Sequence, residues 1–312
     1  MAKKTLQENI LETIAFFDIF DYPLTETEVH KWLWQRESNF LEVQEALEGL
    51  LANQKLGMSD GLFFLPSRKK LVQERKAKYL VAEKKYKKIK RATRLLKMLP
   101  FIRLVAACNT LLILDFKEES DLDLFIVVKK NRLFMTRFLT TVLIALSGSW
   151  RHGKKTKDQI CLSFYVTDDH LDLSPLALKD GDPYLTYWLT FLVPILDRST
   201  YSRFLRSNDW IKNYLPQAQA YITITRRRVL LVGPLEKIRK LAETILAGFL
   251  GNWLERFFKK LQQQKMKKRE LLRKDQQNDV IISDQVLKFH EQDRRRYYRE
   301  VWQKNRKRIL SQ

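Results

Sequence analysis

Two aspartates separated by one leucine are the clearest sign of chemistry in this sequence. Asp121 and Asp123 stand in the run Ser-Asp-Leu-Asp-Leu, which leads into the apolar residues 125–128. Because successive side chains of a strand alternate between its faces, both carboxylates would point the same way. Adjacent carboxylates repel each other, and a divalent cation between them relieves that repulsion. The spacing therefore predicts a metal site at the start of a buried strand. The plainer alternative is a strand that begins with two solvated acids.

The elements that would position these acids form an α+β pattern. We predict strands at 101–108, 122–128 and 158–166, and a helix with one apolar face at 132–146. A turn and a short helix are expected at 109–114. The order strand, short helix, strand, helix, strand predicts a small mixed sheet in a core that spans residues 100–175.

This core resembles the nucleotidyltransferase superfamily that is related to DNA polymerase β. Members carry a Gly-Ser pair after the first strand and then, in the second strand, two acids spaced by one apolar residue. The run at 120–124 is similar to that second strand, and the resemblance covers residues 101–166. It implies Mg²⁺ or Mn²⁺ on Asp121 and Asp123, and transfer of a nucleoside monophosphate from a nucleoside triphosphate to an unknown acceptor. The layout is also similar to uncharacterised bacterial proteins with an N-terminal winged helix.

The resemblance further implies that the turn after the first strand holds the triphosphate. The Gly-Ser position falls on Asn109 and Thr110. Asparagine tolerates positive φ better than most residues, and threonine keeps a hydroxyl. Together with Ser120, these two residues form the predicted nucleotide-binding set.

The third carboxylate of the family pattern is missing from the third strand. Ser163 stands at its expected position, and the next acids are Asp168 and Asp169. Either one of those acids reaches the site, or the acceptor is activated by another group. The remaining alternative is a non-catalytic nucleotide- or RNA-binding protein that retains the transferase fold.

Residues 1–66 have the pattern of a winged helix-turn-helix. We predict helices at 5–20, 26–34 and 41–52, followed by a hairpin centred on Asp60-Gly61. The third helix carries Glu42, Glu45 and Glu48, and residues 1–64 hold five Lys and Arg against 11 acids. Because binding to duplex DNA depends chiefly on neutralising phosphates, we expect packing or dimerisation and not sequence-specific DNA binding.

The positive charge is confined to two segments. Residues 65–98 carry 14 Lys and Arg against two Glu, and residues 257–312 carry 17 against seven acids, which accounts for the net charge of +22. The first segment is predicted to be one long connecting helix, 67–99. Both segments could bind RNA or another polyanion. The alternative is a solvated helical spine.

Residues 176–312 are predicted to be a helical C-terminal region with a basic tail. Helices are expected at 182–195, 202–214, 234–261 and 291–309, and a short extended piece at 280–283. A polar cluster at the entrance to the last helix includes Lys288, His290, Asp293 and Arg294. It is interpreted either as a helix cap with salt bridges or as a secondary site for phosphates or RNA.

The apolar helix at 234–261 precedes a basic cluster of Lys259, Lys260, Lys265, Lys267 and Lys268. Interfacial helices have this pattern, but a core helix with a solvated end is simpler, so membrane association is not expected. The N-terminus lacks the apolar stretch of a signal peptide, and no apolar run is long enough to span a bilayer. Cys108 and Cys161 lie in apolar runs and are interpreted as buried core thiols of a reducing compartment. A cytoplasmic protein is expected, and its oligomeric state is left open.

Overall fold

The computed structural model describes residues 4–108, 119–151, 156–218, 225–271, 280–289 and 293–311. It has a mixed α+β fold, as the sequence predicts. Its strands are β1 (Leu24–Thr25), β2 (Gly57–Ser59), β3 (Leu62–Phe64), β4 (Ile102–Ala107), β5 (Leu122–Val128), β6 (Ile160–Thr167), β7 (Val193–Asp197), β8 (Ile281–Ile282) and β9 (Val286–Lys288). Its α-helices are α1 (Leu6–Asp18), α2 (Glu26–Lys31), α3 (Phe40–Ala52), α4 (Leu71–Leu96), α5 (Leu133–Leu146), α6 (Pro183–Thr190), α7 (Tyr201–Ser207), α8 (Pro234–Ile245), α9 (Phe249–Leu271) and α10 (Arg295–Leu310).

The first three helices accompany a small antiparallel sheet of order β1-β3-β2. The Thr25 hydroxyl accepts a hydrogen bond from the Glu28 N–H, and the Glu28 carboxylate accepts one from the Thr25 N–H, so a capping box starts α2. Asp60 and Gly61 both have positive φ, at 53° and 72°, which is the backbone that a two-residue hairpin between β2 and β3 requires. The predicted hairpin is confirmed.

The larger sheet has six strands in the order β7-β4-β5-β6-β9-β8. Strands β5 and β6 run parallel, and the other neighbours are antiparallel. All seven residues of β5 are buried, since hydrophobic clusters cover both faces of the central strands. Asp123 therefore lies in the buried centre of the sheet, and Asp121 directly precedes it at the rim.

The prediction of one helix over 182–195 is wrong at its C-terminal end. Helix α6 stops at Thr190, and residues 193–197 form β7, which pairs with β4 at the edge of the sheet. An apolar run of this length suits either a helix or a buried strand. Pro194 is compatible with the strand because an edge strand has one side without a partner for its N–H groups.

The N-terminal and C-terminal segments share one hydrophobic cluster. The Trp302 indole N–H in α10 donates a hydrogen bond of 2.8 Å to the Glu12 carbonyl in α1. The Phe16 ring stacks on Tyr187 of α6 with ring centroids 4.4 Å apart. Helices from both ends of the chain thus pack against α6, and the region predicted to be helical after residue 176 also contributes β7, β8 and β9 to the larger sheet.

The predicted helix over 234–261 is two helices, since α8 ends at Ile245 and α9 begins at Phe249. Acids of α8 attach it to the sheet. The Glu236 carboxylate lies 2.5 Å from Arg198 Nη1 and 2.7 Å from Arg239 Nη2. The Glu243 carboxylate accepts a hydrogen bond of 2.8 Å from Arg103 in β4.

Helix α9 is held in a similar way. The Glu255 carboxylate accepts hydrogen bonds of 2.8 Å from the N–H groups of Phe134 and Met135, at the start of α5. An acid at the N-terminus of a helix satisfies its unpaired N–H groups and complements its dipole. No helix in the described part of the chain is long and apolar enough to span a membrane.

Replacing Glu236 tests whether its ion pairs with Arg198 and Arg239 hold α8 in place. Burial favours the neutral acid, but hydrogen bonds from Arg239 and Arg198 outweigh it and lower the pKa of Glu236 from 4.5 to about 2. A carboxyl group whose pKa is lower in the folded state stabilises that state above its unfolded pKa. We therefore expect Glu236→Gln to reduce the free energy of unfolding by about 1–3 kcal/mol at neutral pH.

This difference should narrow as the pH falls from about 4.5 to about 2, the window between the unfolded and folded pKa values. Urea unfolding of both proteins at a series of pH values measures it. Glu48→Gln, at an exposed position on α3, is the control and should change stability by less than about 0.5 kcal/mol. A pH-independent difference would contradict the assignment to the Glu236 charge.

Candidate metal centre

Two neighbouring strands bring Asp121, Asp123 and Cys161 together. In the parallel pair β5–β6, Asp123 stands directly opposite Cys161. One donor atom from each of the three side chains lies within 4.8 Å of the other two. Asp123 and Cys161 are buried, while Asp121 is half-buried at the rim. The convergence of the two acids that the sequence predicts is therefore present, with a thiol as the third member.

A bulge in β6 explains why the third member is Cys161. Between the pairs Asp123–Cys161 and Phe125–Phe164, β5 advances by two residues and β6 by three. Leu162 and Ser163 together lie opposite Leu124, and Ser163 is the position at which the sequence resemblance places the third ligand. A bulge shifts the side chains on one side of it relative to the partner strand. The register consequently sets Cys161 against Asp123, and Ser163 remains a buried neighbour further along β6.

A second thiol flanks Asp123 from the other side. The N–H of Cys108, just after β4, donates a hydrogen bond of 3.1 Å to the Asp123 carbonyl. Burial, followed by the negative charge of Asp123, raises the pKa of both Cys108 and Cys161 well above the usual range. Both thiols are protonated at neutral pH in the absence of a metal. The prediction that they are buried is confirmed. Sequence reasoning did not connect them with the site, and the signal that could have done so is their place at the strands on either side of β5.

Arg151 compensates the charge at the rim. Its Nη1 atom lies 2.7 Å from Asp121 Oδ2 and donates a hydrogen bond of 3.6 Å to the Cys161 sulfur. The arginine follows Trp150, which forms an isolated bridge with Ile160 at the start of β6. Asp121 Oδ2 is buried, and a bound metal ion would share this oxygen with the Arg151 guanidinium.

Lys85 binds the residue that precedes Asp121 at the start of β5. Its side chain is only 2% exposed, although it belongs to the basic helix α4. Its ammonium group donates hydrogen bonds of 2.6 Å to the Ser120 carbonyl and 3.0 Å to the Ser120 hydroxyl, and it lies 3.5 Å from the Asp158 carboxylate. Ser120, a predicted nucleotide-binding residue, is thus fixed by α4. Lys88 forms a further ion pair with Asp158.

Strand β9 brings part of the predicted secondary site to the same face of the sheet. Lys288 is buried and stands opposite Phe164 of β6. Since alternate residues share a face, Lys288 and Val286 lie on the side of the sheet that carries Phe125 and Asp123. Lys288 and Asp123, which are far apart in the sequence, therefore share one face of the sheet.

The other members of that cluster have separate surroundings. Asp293 accepts a hydrogen bond of 3.0 Å from the Arg295 N–H and forms a 2.7 Å ion pair with the Arg295 side chain. The ion pair agrees with the interpretation of a helix cap with salt bridges, but the residue at the N-cap of α10 is Arg294, and among the described residues no side-chain capping hydrogen bond starts this helix. Arg294 is the residue before α10, and His290 lies outside the described residues.

Two further predictions concern the nucleotide-binding turn and the acids that follow the third strand. Asn109 and Thr110 lie outside the described residues. Asp168 and Asp169 do not reach the centre, because they follow the C-terminal end of β6 whereas Cys161 is near its start. At about 3.3 Å per residue, that separation is roughly 20 Å. Asp168 instead accepts a hydrogen bond of 2.8 Å from the Lys130 N–H, and Asp169 pairs with the Lys130 side chain at 2.9 Å.

The donor set at the centre fits a divalent metal. Two carboxylates suit Mg²⁺ and Mn²⁺, whereas a thiolate favours softer ions such as Zn²⁺. Asp121 and Asp123 would be ligands for either class, and Cys161 would add a sulfur ligand for the softer ions. Comparisons of the chain with protein-family models, curated proteins and solved structures found no match.

A cadmium titration tests whether Cys161 is a ligand. Cd²⁺ is soft, so its binding should produce a thiolate-to-metal charge-transfer band in the ultraviolet spectrum. Because metal binding removes the thiol proton, the band should strengthen as the pH rises. Cys161→Ser should abolish the band, whereas Cys108→Ser should retain it. Loss of the band only in the Cys108 variant would assign the sulfur ligand to the other strand.

The buried lysine yields a separate prediction. Lys85→Met keeps the length of the side chain but leaves the Ser120 carbonyl and hydroxyl without their donor. We expect a loss of about 1–3 kcal/mol in the free energy of unfolding. Lys84→Met, at an exposed neighbouring position on α4, should change it by less than about 0.5 kcal/mol. Equal effects in urea unfolding would contradict the supporting role of Lys85.

Proposed function

We propose that this protein is a metal-dependent nucleotidyltransferase, which transfers a nucleoside monophosphate from a nucleoside triphosphate to an acceptor. The convergence of Asp121, Asp123 and Cys161 within 4.8 Å is the observation that carries the proposal. Two further features support a nucleotidyltransferase-like core. Strand β5 is antiparallel to β4 and parallel to β6, and α5 connects β5 to β6. The N-terminal helices with their three-stranded sheet support a winged helix-turn-helix.

The protein's own residues would bind and orient the triphosphate. Phosphoryl transfer depends on positioning and charge compensation more than on covalent participation. Arg151 is 46% exposed beside Asp121, and its planar guanidinium matches phosphate oxygens. Lys85 holds the backbone at Ser120, which fixes the approach to Asp121. Mg²⁺ or Mn²⁺, when bound to Asp121 and Asp123, would neutralise phosphate charge.

A non-catalytic nucleotide- or RNA-binding protein is the second candidate. The donor set favours it, since the residue opposite Asp123 is the buried thiol of Cys161, and Ser163 occupies the position at which the resemblance leads one to expect a third carboxylate. A thiol with a raised pKa gives up its proton reluctantly and is not poised to accept one from an acceptor hydroxyl. In this case the segments 65–98 and 257–312 would bind a polyanion. Lys84 and Lys87 on α4 are exposed and would contact it.

Calorimetry with the four nucleoside triphosphates, each with Mg²⁺ or Mn²⁺, tests the binding step. We expect binding that requires the metal and that Asp123→Asn weakens by about a hundredfold or more, because one of the two carboxylates is lost. Asp209→Asn, at an exposed acid remote in sequence from β5, is the matched control and should bind as the unaltered protein does. Absence of nucleotide binding with both metals would refute both the transferase and the nucleotide-binding alternative.

Labelled nucleotides distinguish the two candidates. Incorporation of the label into an acceptor, including the protein itself, should require the metal and disappear in Asp121→Asn and Asp123→Asn. Nucleotide binding without incorporation into RNA, protein or small-molecule acceptors would favour the non-catalytic protein.

A further inference from the structure

Helices α8 and α9 expose a continuous apolar stripe to solvent. Its side chains range in exposure from 37% for Leu261 to 80% for Phe249. Its members are Leu235, Ile238, Leu241, Ile245, Phe249, Leu250, Trp253, Phe257 and Leu261. Most of them follow one another at intervals of three or four residues, which places them along one side of a helix. The interpretation of 234–261 as a core helix is therefore wrong, because its apolar side faces outward.

The opposite side of the two helices makes the contacts with the fold. Phe258 of α9 stacks on Phe138 of α5 with ring centroids 4.3 Å apart, and Gln262 donates a hydrogen bond of 2.7 Å to the Phe134 carbonyl. On α8, Arg239 is only 5% exposed within its ion pairs to Glu236 and Glu243. The stripe is thus the outer surface of helices that are already docked. Contiguous exposed apolar surface of this kind marks an interaction site.

Between residues 234 and 264, the acidic side chains of α8 and α9 face the fold, whereas the exposed charged side chains are basic. The three acids between residues 234 and 264 are Glu236, Glu243 and Glu255, and each is engaged with a cation or with backbone N–H groups on the inner side. The exposed charged side chains of the same stretch are all cationic, and they are Lys237, Lys240, Arg256 and Lys260. The outer surface of α8 and α9 therefore combines apolar and cationic side chains without an exposed acid among the residues described there.

We propose that this outer surface binds a membrane rich in anionic lipids, with α8 and α9 lying in the interface. The apolar side chains would enter the boundary between headgroups and acyl chains, and the lysines would contact anionic headgroups. Trp253 stacks on Phe257 in the middle of the stripe with ring centroids 5.8 Å apart, and aromatic side chains favour that boundary. This proposal reverses the expectation from the sequence alone, which assumed that the apolar side was buried.

Two other occupants match the surface less well. In a symmetric contact with a second copy, the exposed lysines would meet a surface that has the same charge and no exposed acid. RNA would pair with the cations but would leave the apolar stripe in water. An anionic lipid surface is complementary both to the exposed cations and to the apolar stripe. Leu230 and Val232, just before α8, are also exposed apolar side chains, at 62% and 68%.

Vesicle flotation of the full chain tests the proposal. We use phosphatidylcholine vesicles and vesicles of equal parts phosphatidylcholine and phosphatidylserine. The protein should float with the anionic vesicles at least about tenfold better than with the neutral ones, and added salt should reduce the difference. Phe249→Ser/Trp253→Ser should weaken binding to the anionic vesicles by about tenfold or more, because two large apolar side chains are lost.

Two controls keep the experiment decisive. Leu80→Ser/Leu146→Ser removes two apolar side chains that are 67% and 81% exposed on α4 and α5, and it should bind vesicles as the unaltered protein does. Circular dichroism should show the same helix content for both double variants, since all four positions are exposed.

The proposal is overturned if the chain does not float with anionic vesicles, or if the two double variants weaken flotation equally. It is also overturned if sedimentation shows a dimer that Phe249→Ser/Trp253→Ser dissociates while the vesicles remain unbound. That result would assign the surface to a second copy of the chain. None of these outcomes depends on nucleotide binding at the metal centre.

Discussion

Two carboxylates at the entrance to a buried strand require compensating positive charge, and much of the chain supplies it. Burying a charge without a partner costs several kcal/mol, so Asp121 and Asp123 are tolerable only with cations or polar donors around them. Arg151 approaches from the residues before β6, and Lys85 reaches the same entrance from α4. Lys85 thus adds an electrostatic contact at the start of β5 to the apolar packing of α4 on the sheet, whether or not a nucleotide binds there.

The same requirement explains why the high net charge does not form one uniform basic surface. Of the basic residues of α4, Lys85 is buried and Lys88 is paired with Asp158, while Lys84 and Lys87 remain in solvent. A run of lysines in a sequence thus contains both structural and exposed members. The helical periodicity separates them only when the neighbouring elements are known.

The sequence predicted the bounds of an element best where a local residue pattern alone determines them. Strand β5 begins and ends at the predicted residues, since apolar side chains follow the two acids without interruption. Sequence could not predict that Cys161 is the partner of Asp123, because the bulge at Leu162 and Ser163 is a property of strand pairing and is invisible in the residue pattern. The sequence also did not predict the change from helix to strand after Thr190, for a related reason. The tertiary position of that apolar run at the sheet edge decides its conformation.

The outward side of α8 and α9 is the clearest case in which periodicity is ambiguous, because a buried stripe and an exposed one have the same spacing. The inward acids set the rotation of these helices. Turning them to bury Phe249 and Trp253 would withdraw Glu236 and Glu255 from their donors, at about 1.5–3 kcal/mol for each charged hydrogen bond. Burying each large apolar side chain would return a similar amount, about 1.5–3 kcal/mol. The inward ion pairs and hydrogen bonds, together with the packing of Phe258 on Phe138, therefore hold the observed rotation, and an external apolar partner would cover the side chains that this rotation leaves in solvent.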